Sequence, residues 1–125
     1  PAVDLGTGRT VSSVKSGNYH TCASLDNNTM KCWGANGAGE LGYGDFTVRG
    51  DNANEMGDNL SAISLGTGRT ATSIGISEYA SCAILDNGGA KCWGANGWGA
   101  LGQGDTNNRG DGANEMGDNL AIISF

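Results

Sequence analysis

The sequence has few of the residues that basic or catalytic surfaces require: one histidine and only seven lysine and arginine residues in 125. Nucleic-acid surfaces need clustered lysine and arginine, so the scarcity of both and the net charge of −6 argue against a nucleic-acid partner. No stretch approaches the roughly 18–20 consecutive apolar residues of a membrane span. No Ser-His-Asp or Cys-His arrangement can be built around the single histidine. We therefore expect a non-catalytic protein without a membrane span.

Glycine, by contrast, is abundant, with 23 residues spread along the chain. Each glycine inside a helix costs about 0.5–1 kcal/mol relative to alanine, so this composition disfavours helices. Short strands joined by tight turns tolerate glycine much better. The composition therefore predicts an all-β fold.

The chain is an internal duplication. Residues 1–60 return as residues 61–120 without insertion, and about 37 of the 60 aligned positions are identical. Each copy has four strand-like pieces, which in the first copy cover residues 2–5, 11–14, 20–25 and 29–33. Apolar residues alternate within them, which is the period of a half-buried strand.

The third and fourth pieces predict a hairpin whose register can be derived. A type I turn followed by a left-handed residue needs Gly or Asn in its third place, and residues 28 and 88 supply Asn and Gly. With this three-residue loop, Cys22 faces Cys32 at a non-hydrogen-bonded position, where side chains lie closest. The same count places Cys82 opposite Cys92.

This register favours disulfides Cys22–Cys32 and Cys82–Cys92 among the three pairings that four cysteines allow. Two alternatives remain open. A zinc site is one, although the spacing does not match zinc knuckles. Buried reduced thiols in a cytosolic protein are the other. Disulfides imply an oxidising compartment, so we expect an extracellular or cell-surface location.

The motif that runs through both copies resembles the regulator-of-chromosome-condensation repeat. The first copy shows it as Tyr19 to Asp26, then Lys31-Cys32-Trp33-Gly34 with the glycines that follow, and the second copy repeats it from Tyr79. The resemblance implies blades of four antiparallel strands in a β-propeller of about seven blades. The paired cysteines resemble those of secreted or surface repeats, and not those of the nuclear exchange factor that named the family.

The strand count predicts how the blades divide the chain. Residues 10–65 form blade one, residues 70–125 form blade two, and residues 1–5 are the outer strand of a preceding blade. Two blades alone would leave both flanks exposed to water, since each blade must cover its neighbour. We therefore expect a segment of a longer repeat array, with assembly from copies of this chain as the alternative. The first residue, Pro1, favours a processed or excised piece.

Aromatic residues that differ between the copies are candidate contact residues. Trp98 stands where the first copy has Ala38, and the other two candidates, Tyr43 and His20, are likewise not repeated. Trp33 and Trp93 are repeated and are each followed by glycine, so we expect them to pack between blades.

The acidic loops 44–59 and 104–119 could hold calcium through oxygen ligands, although Asx turns explain the same residues. The candidate ligands are the carboxylates Asp51, Glu55, Asp58, Asp111, Glu115 and Asp118, together with Asn54 and Asn114. Both loops contain Arg-Gly-Asp, which we interpret as structural. Asn27 and Asn59 begin N-glycosylation sequons. We expect no cofactor other than this possible calcium.

Three functional hypotheses follow. The favoured one is an extracellular structural or interaction module that binds proteins, further copies of the repeat, or glycans. The second is a secreted binding propeller, lectin-like or inhibiting an enzyme. The third, a nucleotide-exchange regulator of a small GTPase, follows only from the family resemblance.

Overall fold

A computed structural model describes residues 1–125, and it contains two three-stranded antiparallel sheets. In the first sheet β1 (Val11–Ser16), β2 (His20–Leu25) and β3 (Met30–Gly34) are neighbours in that order. The second sheet repeats this order with β4 (Ala71–Ile76), β5 (Ala80–Leu85) and β6 (Ala90–Gly94). The only helices are two single 3₁₀ turns, Gly57–Asn59 and Gly117–Asn119, and no helix could cross a membrane.

The β2–β3 hairpin has the register derived from the sequence. Ser24 pairs with Met30, Ala23 with Lys31, and Cys22 with Cys32. The N–H of Leu25 donates to the carbonyl of Thr29, and Asn28 adopts the left-handed conformation with φ 64°. Disulfides join Cys22 to Cys32 and Cys82 to Cys92, and no free cysteine remains, so the predicted pairing is confirmed.

The predicted fourth strand of each blade does not form a full ladder. Residues 61–65 lie beside β3, but the only backbone hydrogen bond between them runs from the Ile63 N–H to the Met30 carbonyl, at 2.8 Å. The Tyr43 hydroxyl occupies the neighbouring position: it accepts from the Cys32 N–H and donates to the Ser61 carbonyl at 2.7 Å. A side chain thus replaces the ladder bonds that a fourth strand would make. The blade bounds 10–65 and 70–125 remain a prediction.

In each copy, two side chains hold the 3₁₀ turn against the loop that precedes the sheet of that same copy. The buried Lys31 ammonium donates to the carbonyls of Leu5 and Gly57, both at 2.9 Å. The Asp58 carboxylate accepts from the Thr7 N–H and from its hydroxyl. Lys91 and Asp118 make the same contacts in the second copy, and burial lowers the pKa of Lys91. Buried charged groups need such partners, so these bonds account for the repeated lysine.

The main hydrophobic core lies between the sheets, not within either one. Side chains from one face of the first sheet (Cys22, Met30, Cys32) pack against the facing side of the second sheet (Ile74, Ala83, Leu85, Trp93). A smaller cluster of Leu5, Ala23 and Leu25 lies on the opposite face of the first sheet. Each sheet is therefore stabilised mainly by what lies against its faces.

Replacing Cys22 and Cys32 together by alanine should lower the free energy of unfolding by about 2.5–3 kcal/mol, because the short loop they close loses its constraint on the unfolded chain. The matched pair Cys82 and Cys92, also changed to alanine, should cost less. Cys22 and Cys32 are fully buried between the sheets, whereas Cys82 is partly exposed. Urea denaturation of both variants measures the difference, and an unchanged midpoint for the first variant would contradict the stabilising role.

Candidate interaction surfaces

The contact between the two sheets centres on Trp93, which is fully buried. Its indole N–H donates to the Glu40 carbonyl at 3.1 Å. The Ser81 hydroxyl donates to the same carbonyl at 2.8 Å, and the His20 Nε2 lies 2.8 Å from that hydroxyl. An aromatic side chain buried with its N–H satisfied is the most favourable arrangement for tryptophan. The loop around residue 40 of one sheet is thereby held against the next sheet.

Backbone contacts complete this interface. The Gly44 N–H donates to the Gly110 carbonyl at 2.9 Å. A Cβ at Gly39 would lie 2.4 Å from the Asp111 nitrogen, so no larger residue fits there. Glycine recurs at the equivalent positions 99 and 104, where the space beyond is open. The second copy thus retains the glycines for a contact that this chain does not make.

The outer faces of the two sheets are open and apolar. On the first sheet, Trp33 is only partly buried and lies with Val3, Val11 and Val14 in a groove of about 350 Å³ lined entirely by hydrophobic residues. These residues are the first-copy equivalents of Trp93, Ile63, Ala71 and Ile74. On the second sheet, Ile84 is exposed and Ala90 partly exposed, at the positions where the first copy has Ser24 and Met30. We call these the first and second open flanks.

A second surface lies where the loops at one end of the sheets meet. The rings of Tyr19 and Tyr79 stack with centroids 5.6 Å apart, and both side chains are about half exposed. They line a cavity of about 460 Å³ with Ala38 and Glu40. Trp98 is almost fully exposed, at 99%, and lines a smaller pocket of about 210 Å³ on the other side of Tyr79. We call Tyr19, Tyr79 and Trp98 the aromatic surface.

Of the three predicted contact residues, only Trp98 is exposed on a surface. His20 is 2% exposed and lies between the sheets, where it contacts Ser81. Tyr43 is engaged beside β3, and burial raises its pKa to about 12. His20 therefore does not lie on a surface, because it fills a gap between the sheets, whereas Tyr43 is only partly buried and its role as a contact residue stays a prediction. Copy-specific residues can equally adjust the packing between two non-identical copies.

Four of the six carboxylate candidates for calcium accept hydrogen bonds from backbone N–H groups of the protein. One Glu55 oxygen accepts from the N–H groups of Gly50, Asp51 and Asn52, and Glu115 does the same with Gly110, Asp111 and Gly112. Asp58 and Asp118 bind the threonines described above. Burial, reinforced by the Glu115 carboxylate, raises the pKa of Asp111. The structure gathers no group of three or more His, Cys, Asp or Glu side chains that could hold a metal ion.

The Arg-Gly-Asp segments are held in the same loops. The Arg49 guanidinium makes two hydrogen bonds to the Asp45 carboxylate and stacks on the Tyr43 ring, 4.2 Å from its centroid. Hydrogen bonding to Arg49 lowers the pKa of Asp45. Arg109 and Asp105 form the equivalent pair at 2.7 Å. Both arginines are therefore engaged within their loops, in agreement with a structural role.

Asn27 lies exposed at the tip of the β2–β3 turn. Its Oδ1 accepts from the N–H and the hydroxyl of Thr29, which leaves the amide nitrogen free. Asn59 is also exposed, at the end of the first 3₁₀ turn. Both sequons are therefore accessible, and their use remains a prediction.

Sequence analysis missed Tyr19, Tyr79 and Glu40. The two tyrosines are identical in the copies, so a search for copy-specific aromatics could not select them. Glu40 is aligned with Ala100, and this difference between the copies could have identified Glu40 as a candidate. What made these residues a site is the contact between the sheets.

Comparison with known proteins finds one family model, which matches part of the first copy. Residues 11–40 match the model of the Regulator of chromosome condensation (RCC1) repeat. No curated protein matches the chain.

Solved structures agree on the fold. Prp20p from Saccharomyces cerevisiae, studied for its binding to Gsp1p and histones, superposes with a TM-score of 0.69 at 17% identity over 98% of this chain and 27% of its own. Human WBSCR16 gives 0.64 at 17% identity, over 93% of this chain and 26% of its own. Yeast RCC1 (Prp20) bound to Kap60 gives 0.66 at 15% identity, over 98% and 26%. The chain thus has the propeller fold and spans about a quarter of each neighbour's length.

The two equivalent tryptophans should differ in their contribution to stability. Trp93→Phe removes a buried hydrogen bond and leaves a cavity, so it should lower the free energy of unfolding by about 1–3 kcal/mol. Trp33→Phe changes a partly exposed ring without a hydrogen-bond partner and should cost less than about 1 kcal/mol. Urea denaturation compares them, and equal losses would show that the contact between the sheets does not depend on Trp93.

Stability should also fall between pH 7 and pH 5 because of His20. Burial lowers the pKa of His20 from its ordinary 6.5, against the opposing effect of Glu40, so the unfolded chain takes up this proton at a higher pH than the folded chain. The contribution of neutral His20 to the free energy of unfolding is complete above about pH 6.5, and it is lost as the pH falls toward the lower pKa of His20 in the folded chain. His20→Ala, which copies Ala80, should lessen this loss. Identical pH dependence of unfolding in the variant and the parent chain would refute the assignment.

Proposed function

We propose that this chain, which is built from propeller repeats of the regulator-of-chromosome-condensation type, is a non-catalytic interaction module that works outside the cell. Its open flanks pack against further repeats of the same type, and its aromatic surface remains available to a partner.

The observation that carries this proposal is the match between the open flanks and the buried interface. Trp33 and the valines of the first open flank are the equivalents of Trp93 and its neighbours, which are covered by the first sheet. The second open flank is the equivalent of the first-sheet face that covers Trp93. Burying apolar area is worth about 25 cal/mol per Å², so a further repeat is the favourable occupant of either flank. Propeller and solenoid repeats are stabilised in this way by their neighbours.

The match has one local exception. A Cβ at Gly17 would lie 2.6 Å from the Ser77 carbonyl across the interface. The second copy has serine at this position, so a repeat docked on the second flank in the same geometry would meet the Ser77 Cβ. At the neighbouring position His20 gives way to Ala80, while the first copy has Thr21 in place of Ser81. In a contact of the same geometry, Ala80 would lie against the methyl group of Thr21, and this apolar pair would take the place of the His20–Ser81 hydrogen bond.

The extracellular location rests on the two disulfides. Cytosolic thiols are kept reduced, whereas disulfide-stapled repeats persist in oxidising compartments. The non-catalytic role is supported by the state of the residues that most often act in catalysis. All four cysteines are bonded in pairs, and the single histidine is buried against Ser81.

The alternative is a secreted binding propeller, lectin-like or inhibiting an enzyme, and the exposed Trp98 favours it as a contact residue. Nucleotide exchange on a small GTPase remains the third hypothesis. Prp20p is described by its binding to Gsp1p and histones, but its likeness to this chain at 17% identity concerns the fold alone.

Analytical ultracentrifugation over a range of concentrations tests the lateral packing. The chain should associate through its flanks, and Trp33→Glu should reduce association at least tenfold, because the interface would bury an unpaired charge. Ser77→Gly should strengthen association by removing the Cβ that opposes it. Asn27→Ala, at the exposed tip of the β2–β3 turn and away from both flanks, serves as the control. A chain that stays monomeric at every concentration, or a Trp33→Glu variant that associates like the parent, would contradict the proposal.

A further inference from the structure

The cavity that Tyr19 and Tyr79 line is also lined by Glu40, whose carboxylate has no counterion. Glu40 is 1% exposed, and the only hydrogen bond to its carboxylate comes from the Ala38 N–H, at 2.7 Å. The four ion pairs of the chain all involve other carboxylates. Burying a carboxylate is unfavourable unless it is paired or fully hydrogen-bonded. The carboxylate therefore leaves room for a donor that is not part of this chain.

His20, the basic side chain near Glu40, does not supply that donor. His20 contacts Ser81 through Nε2, and its other ring nitrogen, Nδ1, has no hydrogen-bond partner although it is buried. Burial lowers the pKa of His20, so the ring is neutral at pH 7. The remaining titratable side chains along this surface are Tyr19, Tyr79 and Glu78, and none of them is basic.

The walls of the cavity are aromatic. Tyr19 and Tyr79 stack on each other with centroids 5.6 Å apart, and each is about half exposed, so the ring surface that stacking leaves open can attract a cation within about 6 Å. Exposed Glu78 lies beside Tyr79 and adds negative charge, as does the net charge of −6 of the whole chain. Aromatic walls, a carboxylate and the absence of any basic residue together favour a cationic occupant.

We propose that the cavity formed by Tyr19, Tyr79 and Glu40 binds the ammonium group of a lysine side chain from a partner protein. This inference rests on the proposed role as an interaction module and gives that role a partner chemistry. One Glu40 oxygen is already bound to the Ala38 N–H, which leaves the other for a single-point donor. An ammonium suits that arrangement better than the two-pronged guanidinium of arginine.

The site is unique to the contact between these two copies. The second copy has Ala100 in place of Glu40 and Trp98 in place of Ala38. Its smaller pocket beside Tyr79 therefore has an aromatic side chain but no carboxylate from residue 100. The duplicated sequence thus carries one lysine site and not two.

Chemical-shift titration of the ¹⁵N-labelled full chain with a short peptide that contains one lysine flanked by glycines tests the proposal. The amides of the Tyr19, Ala38 and Tyr79 region should shift with one binding site. The same peptide with acetyl-lysine should bind at least about tenfold more weakly, because acetylation removes the charge. An arginine peptide should bind more weakly than the lysine peptide.

Glu40→Gln, which keeps the shape of the side chain, should weaken lysine-peptide binding about tenfold. Tyr79→Leu should weaken it about threefold to tenfold, and since Tyr79 is half exposed this variant tests the site even if Glu40→Gln disturbs folding. Asp51→Asn removes one exposed charge outside the cavity and should leave binding unchanged.

Three results would overturn the proposal: no shift at any peptide concentration, equal binding of the acetylated peptide, or equal weakening by Asp51→Asn and Glu40→Gln. Tighter binding of the arginine peptide would overturn the assignment to lysine. Sedimentation of the parent chain is independent of this titration, so failure of the lysine site and failure of lateral packing are distinguishable.

Discussion

The structure depends on one constraint: each thin sheet must have its apolar faces covered by a neighbour. A three-stranded sheet with a disulfide across its hairpin is not a core by itself. The largest buried side chain, Trp93, is covered by side chains of both sheets and by the loop around Glu40, whose carbonyl accepts its indole N–H. The same constraint explains why the close contacts use glycine at positions 39 and 110, where any Cβ would strike the backbone of the other copy. The larger cluster of buried apolar side chains therefore lies between the repeats.

Much of the polar sequence that looks like a ligand site serves this architecture. The long loops have almost no ladder hydrogen bonds, so side chains supply them: Glu55 collects three backbone N–H groups, and Lys31 collects two carbonyls. Because the loop is copied, these groups are copied with it. Repetition of the acidic residues thus accompanies repetition of the loop, in which Glu55 and Glu115 accept backbone hydrogen bonds.

Function is best sought where the copies differ and where they meet. The positions 20, 38 and 40 have different residues in the second copy, and all three lie near the junction of the two sheets. A duplication produces two equal surfaces, and substitution at one junction then gives it a chemistry that the other lacks. The buried Glu40 carboxylate beside two tyrosines is the clearest such difference. The second copy differs from the first by an exposed aromatic side chain, Trp98, where the first copy has Ala38.

The sequence by itself determined the all-β class, the duplication, the hairpin register and the disulfide pairing, because each depends on local spacing: a three-residue turn fixes which residues of two adjoining strands face each other. Only the tertiary structure decided that Tyr43 replaces part of a fourth strand, that His20 is buried, and that Tyr19, Tyr79 and Glu40 share one cavity. These facts depend on contacts between residues about 20 to 60 positions apart in the chain. Neither periodicity nor turn chemistry reports such contacts, since they arise only when one sheet packs on the next.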